Sequence, residues 1–519
     1  MLQKSDAHFY RRRCLKHLRR GACLWAVTWT SALASACVIW FAASSSVRAQ
    51  VADRGQGTVS QVDVPSTDSL NLAEDIWPIG QRRRTGDLNQ LIESGEIRIV
   101  TTMSLGFYFI DAGMQEGATY EIAQQFEEFV RKELGDKAKG LRIVIIPARR
   151  DQLLQYLQEG YGDVVAAQLR ISPELEKEVD FARPFFDKHR QFVVTGPETQ
   201  GVLAIEDLSG HEIVVRVGSS HVEALSRLNT DFTAKGLAPV AVTVADPDLE
   251  TEDLLEMVNA GLLPATVADG FRTKLWTAVF EDLHTNDALQ LGSDGELALA
   301  IRKDSPQLND LLDRFIEEHK VGGLVANVIV QRYRDNTNWT ANALKRNPFR
   351  GLEDIEALFR KYGEEYGFDW LMLACLAIQE SALDQSVRSA AGAVGIMQVL
   401  PSTAADQSVG IGDIEVMENN VHAGTKYLAL LRDSYFNDPG LDDFQRTLFS
   451  LAGYNAGPNR INRLREVATD RGLDPDIWFN NVELVVAAEV GLEPVRYVGN
   501  IYKYYLAYQR VIASLSSSK

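Results

Sequence analysis

The apolar periodicity changes once, near Asn347-Pro348, and that change restricts the chain to two differently built parts. Upstream, from Asp87, β-branched runs alternate with helical patterns: Glu96 to Thr102 (EIRIVTT), Tyr120 to Leu134, Leu141 to Ala148, Asp151 to Leu157 and Asp163 to Ala167. A second set follows, with Gln191 to Thr195, Glu212 to Val217, a helix from Ser220, and Leu262 to Asp269. Strands separated by helices predict βαβ units and a mainly parallel sheet, and two such sets predict two lobes with a cleft that closes on a small ligand. Downstream, Leu352, Ile355, Leu358, Phe359 and Tyr362 form a stripe of 3.6-residue period, and helical segments follow as far as Ala513. The spacing therefore predicts a multidomain chain: an α/β two-lobed module over 86–320, a linker over 321–347 and an all-α domain over 348–519.

The chain has 519 residues, 45% of them hydrophobic and 24% charged, which is enough for more than one buried core. Its formal charge is −18, although residues 1–49 hold eight Lys/Arg against Asp6. A body this acidic lacks the positive footprint of nonspecific nucleic-acid binding, so no nucleic-acid partner is expected. The first 20 residues are basic, Gly21 to Ala43 is mostly apolar, and Val47-Arg48-Ala49 is a small-x-small cleavage pattern. Residues 1–49 thus read as a signal peptide or a retained membrane anchor, and an exported protein follows from either. Residues 50–85 are polar and aperiodic and read as a flexible arm. Of the four cysteines, Cys14, Cys23 and Cys37 lie in the leader, leaving Cys375 as a core residue without a bridging partner.

In the first part, GDVVAAQLRISPELEKEVDFARPFF (Gly162 to Phe186), EDLSGHEIVVRVGSS (Glu206 to Ser220) and ATVADG (Ala265 to Gly270) resemble the periplasmic solute-binding proteins for amino acids. The resemblance implies a periplasmic-binding-protein-like fold. It also implies an Arg that pairs with a ligand carboxylate and an Asp that takes the ammonium. Ser172-Pro173-Glu174-Leu175 places Leu175 where that family has its Arg, while Asp269 matches the Asp. Arg170 is the candidate substitute donor; the alternative reading is a solvated arginine at a strand end. An amino acid, a muropeptide, or no ligand at all are the readings open for this module.

In the second part the apolar run Leu371 to Ile378 leads to Glu380, and three motifs follow: SAAGAVGIMQ (Ser389 to Gln398), AGYNAG (Ala452 to Gly457) and EPVRYV (Glu493 to Val498). Glycines allow close backbone approach, and Gln, Asn and Tyr offer hydrogen bonds suited to hydroxyl and acetamido groups, an inventory that suits a sugar polymer. Together with Glu380-Ser381 these motifs resemble the soluble lytic transglycosylase family, where they read ES, GLMQ, AYNAG and ExxxYV. The departures are Ile396 for Leu and Gly453 for Ala.

The resemblance implies the goose-type lysozyme fold and cleavage of peptidoglycan glycan strands with a 1,6-anhydro product. Glu380 would be the sole acid/base and Tyr497 would hold it. Ser381, Ser389, Met397, Gln398, Tyr454 and Asn455 would line the glycan groove, and Glu493 is either a groove or a structural residue. Asp384 is read as a loop or rim residue. Joined to the upstream module, the whole resembles the membrane-bound lytic murein transglycosylases, which implies a periplasmic place of work and attachment at the outer membrane. A hydrolysing muramidase and a non-catalytic glycan or solute sensor are the alternatives. There is no HExxH, P-loop or GxGxxG; His422 alone reads as a packing or capping residue, and no metal or organic cofactor is implied.

Overall fold

Nine strands, most of them with a Val-, Ile- or Ala-rich stretch, pair into a continuous ladder that runs through both lobes. The computed structural model describes residues 82–320, 343–345 and 348–517, with Gly323, and these belong to one compact unit. The leader, the arm up to residue 81 and most of the expected linker lie outside the described residues. Arg82 to Arg84, at the end of the expected arm, are tied to the first lobe. The N–H of Arg84 donates to Gly160 O at 2.8 Å, and the buried Arg98 donates to the carbonyls of Arg82 and Arg84.

In the first lobe, Glu96–Thr101 pairs in parallel with Arg142–Pro147 and with Val164–Arg170; in the second, Glu212–Val215 pairs in parallel with Ala241–Val244 and with Ala265–Asp269. Two long strands, Phe186–Thr195 and Gln290–Ile301, pair antiparallel with each other and carry the chain between the lobes. Each also pairs antiparallel with the edge of one lobe, which makes the sheet mixed at its centre and parallel at both ends.

Beyond Gly351 the chain is helical. Leu371 to Ile378 are each no more than 3% exposed, so Trp370–Ser381 is the central helix of the domain, apolar on every side. Asp369 caps its start by accepting from Leu371 N at 2.9 Å. Leu352–Tyr366 and Leu492–Ser517 pack directly against it, Met417–Tyr435 packs on the first of these and Asp443–Ala456 on the second. Cys375 is fully buried in this core. Among the described residues no helix is long and apolar enough to cross a membrane.

The apolar core is continuous between module and domain. Leu254, Leu255, Met257 and Val258 of helix Thr251–Asn259 belong to the same cluster as Leu371 to Ile378. This helix also carries three buried acids. Glu250, at its N-cap, forks onto Arg150 at 2.8 Å, Glu252 pairs with Arg272 at 2.6 Å, and Glu256 faces helix Leu492–Ser517.

Candidate active site

Glu380 stands where the central helix ends. Ala382 (φ 57°) and Leu383 (φ 65°) both adopt the left-handed region that residues with a Cβ rarely occupy, so the chain leaves the helix in one sharp, strained step. The carboxyl group is left at the edge of the core. Burial raises its pKa from the usual carboxylate range to about 7; the Tyr497 hydroxyl and the Lys345 ammonium oppose that rise, and Glu493 adds to it. Tyr497 is 5% exposed and donates to Glu380 Oε1 at 2.5 Å. Lys345 donates from Nζ to the carbonyls of Ile378 and Gln379, each at 2.9 Å, which places its charge at the negative end of the helix.

Residues 384–399 wrap into a loop beside this carboxyl. Asn420, fully buried on Met417–Tyr435, accepts from Met397 N at 2.8 Å and donates to Val394 O at 2.8 Å and Ile414 O at 3.0 Å. Gln385 accepts from Ile396 N at 3.0 Å and donates to Ile414 O at 3.0 Å. Gly395 (φ +78°) sits between these two amides, and a Cβ there would lie 2.5–2.6 Å from both. Sequence reasoning missed Asn420 and Gln385. The usable signal for Asn420 was a lone amide on a stripe otherwise made of Ala423, Gly424, Leu428 and Leu431. Lys345 lies in an aperiodic segment and left no signal.

The residues expected in the groove divide in two. Tyr454, Glu493 and Tyr497 converge on Glu380: Tyr454 donates to Met397 O at 2.8 Å and its pKa is pushed well above the usual range first by burial and then by the Glu380 charge, while Asn455 donates to the exposed Glu493 at 3.1 Å. Ser381 and Met397 turn their side chains inward. Ser381 Oγ donates to Ile396 O at 2.8 Å, pinning the loop to the helix, and Met397 is fully buried against Gly424. Gln398 (φ 48°) folds back to donate to Gly395 O at 2.7 Å, and the exposed Ser389 accepts from Ala393 N at 3.0 Å. Asp384 is exposed and held to Ser386, and His422 bonds Tyr366 at 2.8 Å and stacks on Tyr362. Among the described residues no cluster of His, Cys, Asp or Glu has the makings of a metal site.

The cleft between the two lobes is a cavity of about 570 Å³ lined by Arg150, Arg170, Gln191, Arg216, His221 and Asp269. Asp269 is already engaged: Oδ1 meets His189 at 2.8 Å and Oδ2 meets Arg272 at 2.7 Å. Burial alone would raise its pKa, but His189 and Arg272 outweigh that and hold it well below the usual range. Arg170 lies over the backbone of Gly295, where a Cβ would fall 2.5 Å from its guanidinium. Arg216 is buried beside Arg150, and its pKa is lowered to about 9 by that burial and by the like charge. Gln191 Oε1 and His221 Nδ1 are buried without a hydrogen-bond partner.

Two family matches coincide with the two parts. Residues 97–334 match Bacterial extracellular solute-binding proteins, family 3, and residues 357–475 match the Transglycosylase SLT domain, ending short of Glu493 and Tyr497. Curated relatives include the membrane-bound lytic murein transglycosylase F of Desulfosudis oleivorans, 27% identical over 445 residues, covering 83% of this chain and 93% of the relative. The protein of the same name from Pseudomonas fluorescens is 27% identical over 440 residues, covering 80% and 85%. Among solved structures, the ancestral amino acid-binding protein that is a precursor of cyclohexadienyl dehydratase aligns at 20% identity with a TM-score of 0.37, over 47% of this chain and 97% of that one. An ancestral arginine-binding protein bound to arginine aligns at 24% identity with a TM-score of 0.36, over 46% and 97%.

Proposed function

We infer that the chain is a peptidoglycan lytic transglycosylase that opens the β-1,4 bond between N-acetylmuramic acid and N-acetylglucosamine with Glu380 as its single acid and base. One observation carries this reading: a carboxyl group with a pKa of about 7, set beside a polar loop in a domain that matches the Transglycosylase SLT family. A pKa near neutrality lets one group give a proton and take one back in the same cycle.

Protonated Glu380 donates to the glycosidic oxygen, the C1–O bond breaks, and the N-acetylglucosamine side leaves with a new hydroxyl. The Glu380 carboxylate then takes the proton of the muramyl C6 hydroxyl, whose oxygen bonds to C1 and closes the 1,6-anhydro ring. The proton count returns to its start and no water is consumed. A second catalytic carboxylate, required by ordinary retaining or inverting hydrolysis, has no task here. Tyr497 favours the carboxylate in the second half of the cycle by donating to Oε1. Ser389, Gln398, Tyr454, Asn455 and Glu493 supply the polar groups along the glycan path, and Ser381 and Met397 support that path from behind.

The two-lobed module serves as a sensing or positioning unit. Asp269 is taken up by His189 and Arg272, whereas Arg170 and Arg216 present positive charge, so the cleft is suited to the carboxylate of an amino acid or muropeptide. We place the protein in the periplasm and associated with a membrane, from its basic-then-apolar leader and from the name its relatives carry. Digestion of purified peptidoglycan followed by mass spectrometry is the test. Muropeptides one water lighter than lysozyme products are expected, and hydrolytic products, or full activity in Glu380→Gln, would overturn the reading.

A further inference from the structure

Glu380 is held from two sides, and both supports lead back to one carboxylate in the other module. Glu256, 2% exposed on helix Thr251–Asn259, accepts at Oε1 from the backbone N–H of Leu344 and from Arg496, each at 3.0 Å. At Oε2 it accepts from Lys503 at 2.7 Å. Leu344 directly precedes Lys345, the lysine that binds two carbonyls in the last turn of the Glu380 helix. Arg496 directly precedes Tyr497, the tyrosine that bonds Glu380 itself. Lys503 lies farther along the same helix and also meets Asp253 at 2.8 Å.

We propose that Glu256, contributed by the solute-binding module, is a positioning residue for Glu380, acting through the paired neighbours Leu344-Lys345 and Arg496-Tyr497. The proposal rests on the assignment of Glu380 as the acid. Its physical basis is the cost of an unpaired buried charge: Glu256 is stable where it is only while the two cations and the N–H surround it, and they in turn are placed by it. Consecutive residues on a helix move as one body. A slide or rotation of Leu492–Ser517 that broke the Arg496 contact would therefore carry Tyr497 away from Glu380. Loss of the Leu344 bond would free Lys345 in the same way. A displacement of about 1 Å in a catalytic group costs on the order of 100-fold in rate, so a remote carboxylate can govern turnover without touching substrate.

The test uses the full chain and soluble glycan strands, measuring kcat, KM and the pH profile for wild type, Glu256→Gln, Glu256→Asp and Arg510→Gln. Arg510 pairs the same helix with Glu212 of the module, away from Glu380, and serves as the docking control. The expected result for Glu256→Gln is a kcat lower by roughly 10- to 100-fold with KM nearly unchanged. Its basic limb should move to higher pH, because Tyr497 and Lys345, both of which favour the carboxylate, are loosened. Glu256→Asp should recover part of the loss, and Arg510→Gln should behave as wild type.

Unchanged kcat and pH limb in Glu256→Gln would overturn the proposal, and so would a gain in activity, which would make the contact a restraint. An equal loss in Arg510→Gln would also overturn it, reducing the effect to docking in general. If Glu256→Gln does not fold, Lys345→Met tests the same support inside the domain: an unmoved pH limb there sinks the proposal. Activity in Glu380→Gln would instead defeat the assignment of the acid, so the two failures are distinguishable.

Discussion

The Tyr497 hydroxyl donates a hydrogen bond to Glu380 Oε1 at 2.5 Å, joining two residues 117 positions apart in the chain. The phenol is buried, and its pKa is pushed well above the usual range first by that burial and then by the neighbouring Glu380 charge, so it stays a donor throughout the working pH range. Burial and this bond act in opposite directions on Glu380, and their balance sets the proton affinity of the acid.

Under the mechanism proposed above, replacing Glu380 by Gln removes both the acid and the base. Turnover should fall by at least about 1,000-fold, the upper part of the range for general acid–base groups. Release of anhydro-muropeptides from purified sacculi is the measurement, with near-ultraviolet circular dichroism to show that the variant is folded.

The same substitution should stabilise the protein at high pH. The folded-state pKa of Glu380 is raised, so the acid favours folding only while protonated, and that stability is lost as pH rises from the unfolded value near 4.5 through about 7. At pH 8 Glu380→Gln should exceed wild type by up to roughly 3 kcal/mol, and at pH 4 the two should nearly coincide. Urea unfolding at the two pH values checks this. Asp248 and Glu483, raised to about 6 and about 8, titrate in both proteins and cancel in the difference.

Activity should decline on the alkaline side with an apparent pKa close to 7. The groups facing Glu380 are Tyr497, Tyr454, Lys345 and Glu493. Tyr497→Phe removes a donor to the carboxylate and should move the limb to higher pH while lowering kcat. A limb moved to lower pH would contradict this account.

Asn420→Ala should destabilise the domain by about 2–4 kcal/mol, because Met397 N, Val394 O and Ile414 O lose their buried partner. Activity should fall with it, since Gly395 to Gln398 loses its anchor. Denaturant midpoints and turnover measured on the same preparations test the pairing of the two effects.

Arg170→Ala should leave glycan cleavage by the unliganded protein unchanged and abolish any thermal stabilisation of the chain by carboxylate-bearing muropeptides. Retention of that stabilisation would remove Arg170 from the cleft's recognition of ligand.

Much of the architecture was legible in the sequence because hydrophobic period is a local property. The alternating strands up to Asp269, the helices beyond Leu352 and the position of Glu380 at the end of an apolar run all follow from residue spacing within single elements. Motif order, from Glu380-Ser381 through GIMQ and GYNAG to EPVRYV, was enough to mark the candidate active site proposed above. Tertiary structure alone decided which motif side chains reach the acid. Tyr497 and Tyr454 come to Glu380, whereas Ser381 and Met397 turn away, because the direction a side chain faces on a loop is set by what packs behind it, here Gly424 and the Ile396 carbonyl. Spacing could not reveal Asn420, Lys345 or Glu256 either. Their partners lie on other elements, and a buried charge or amide acquires its role only when packing brings its complement within hydrogen-bond reach.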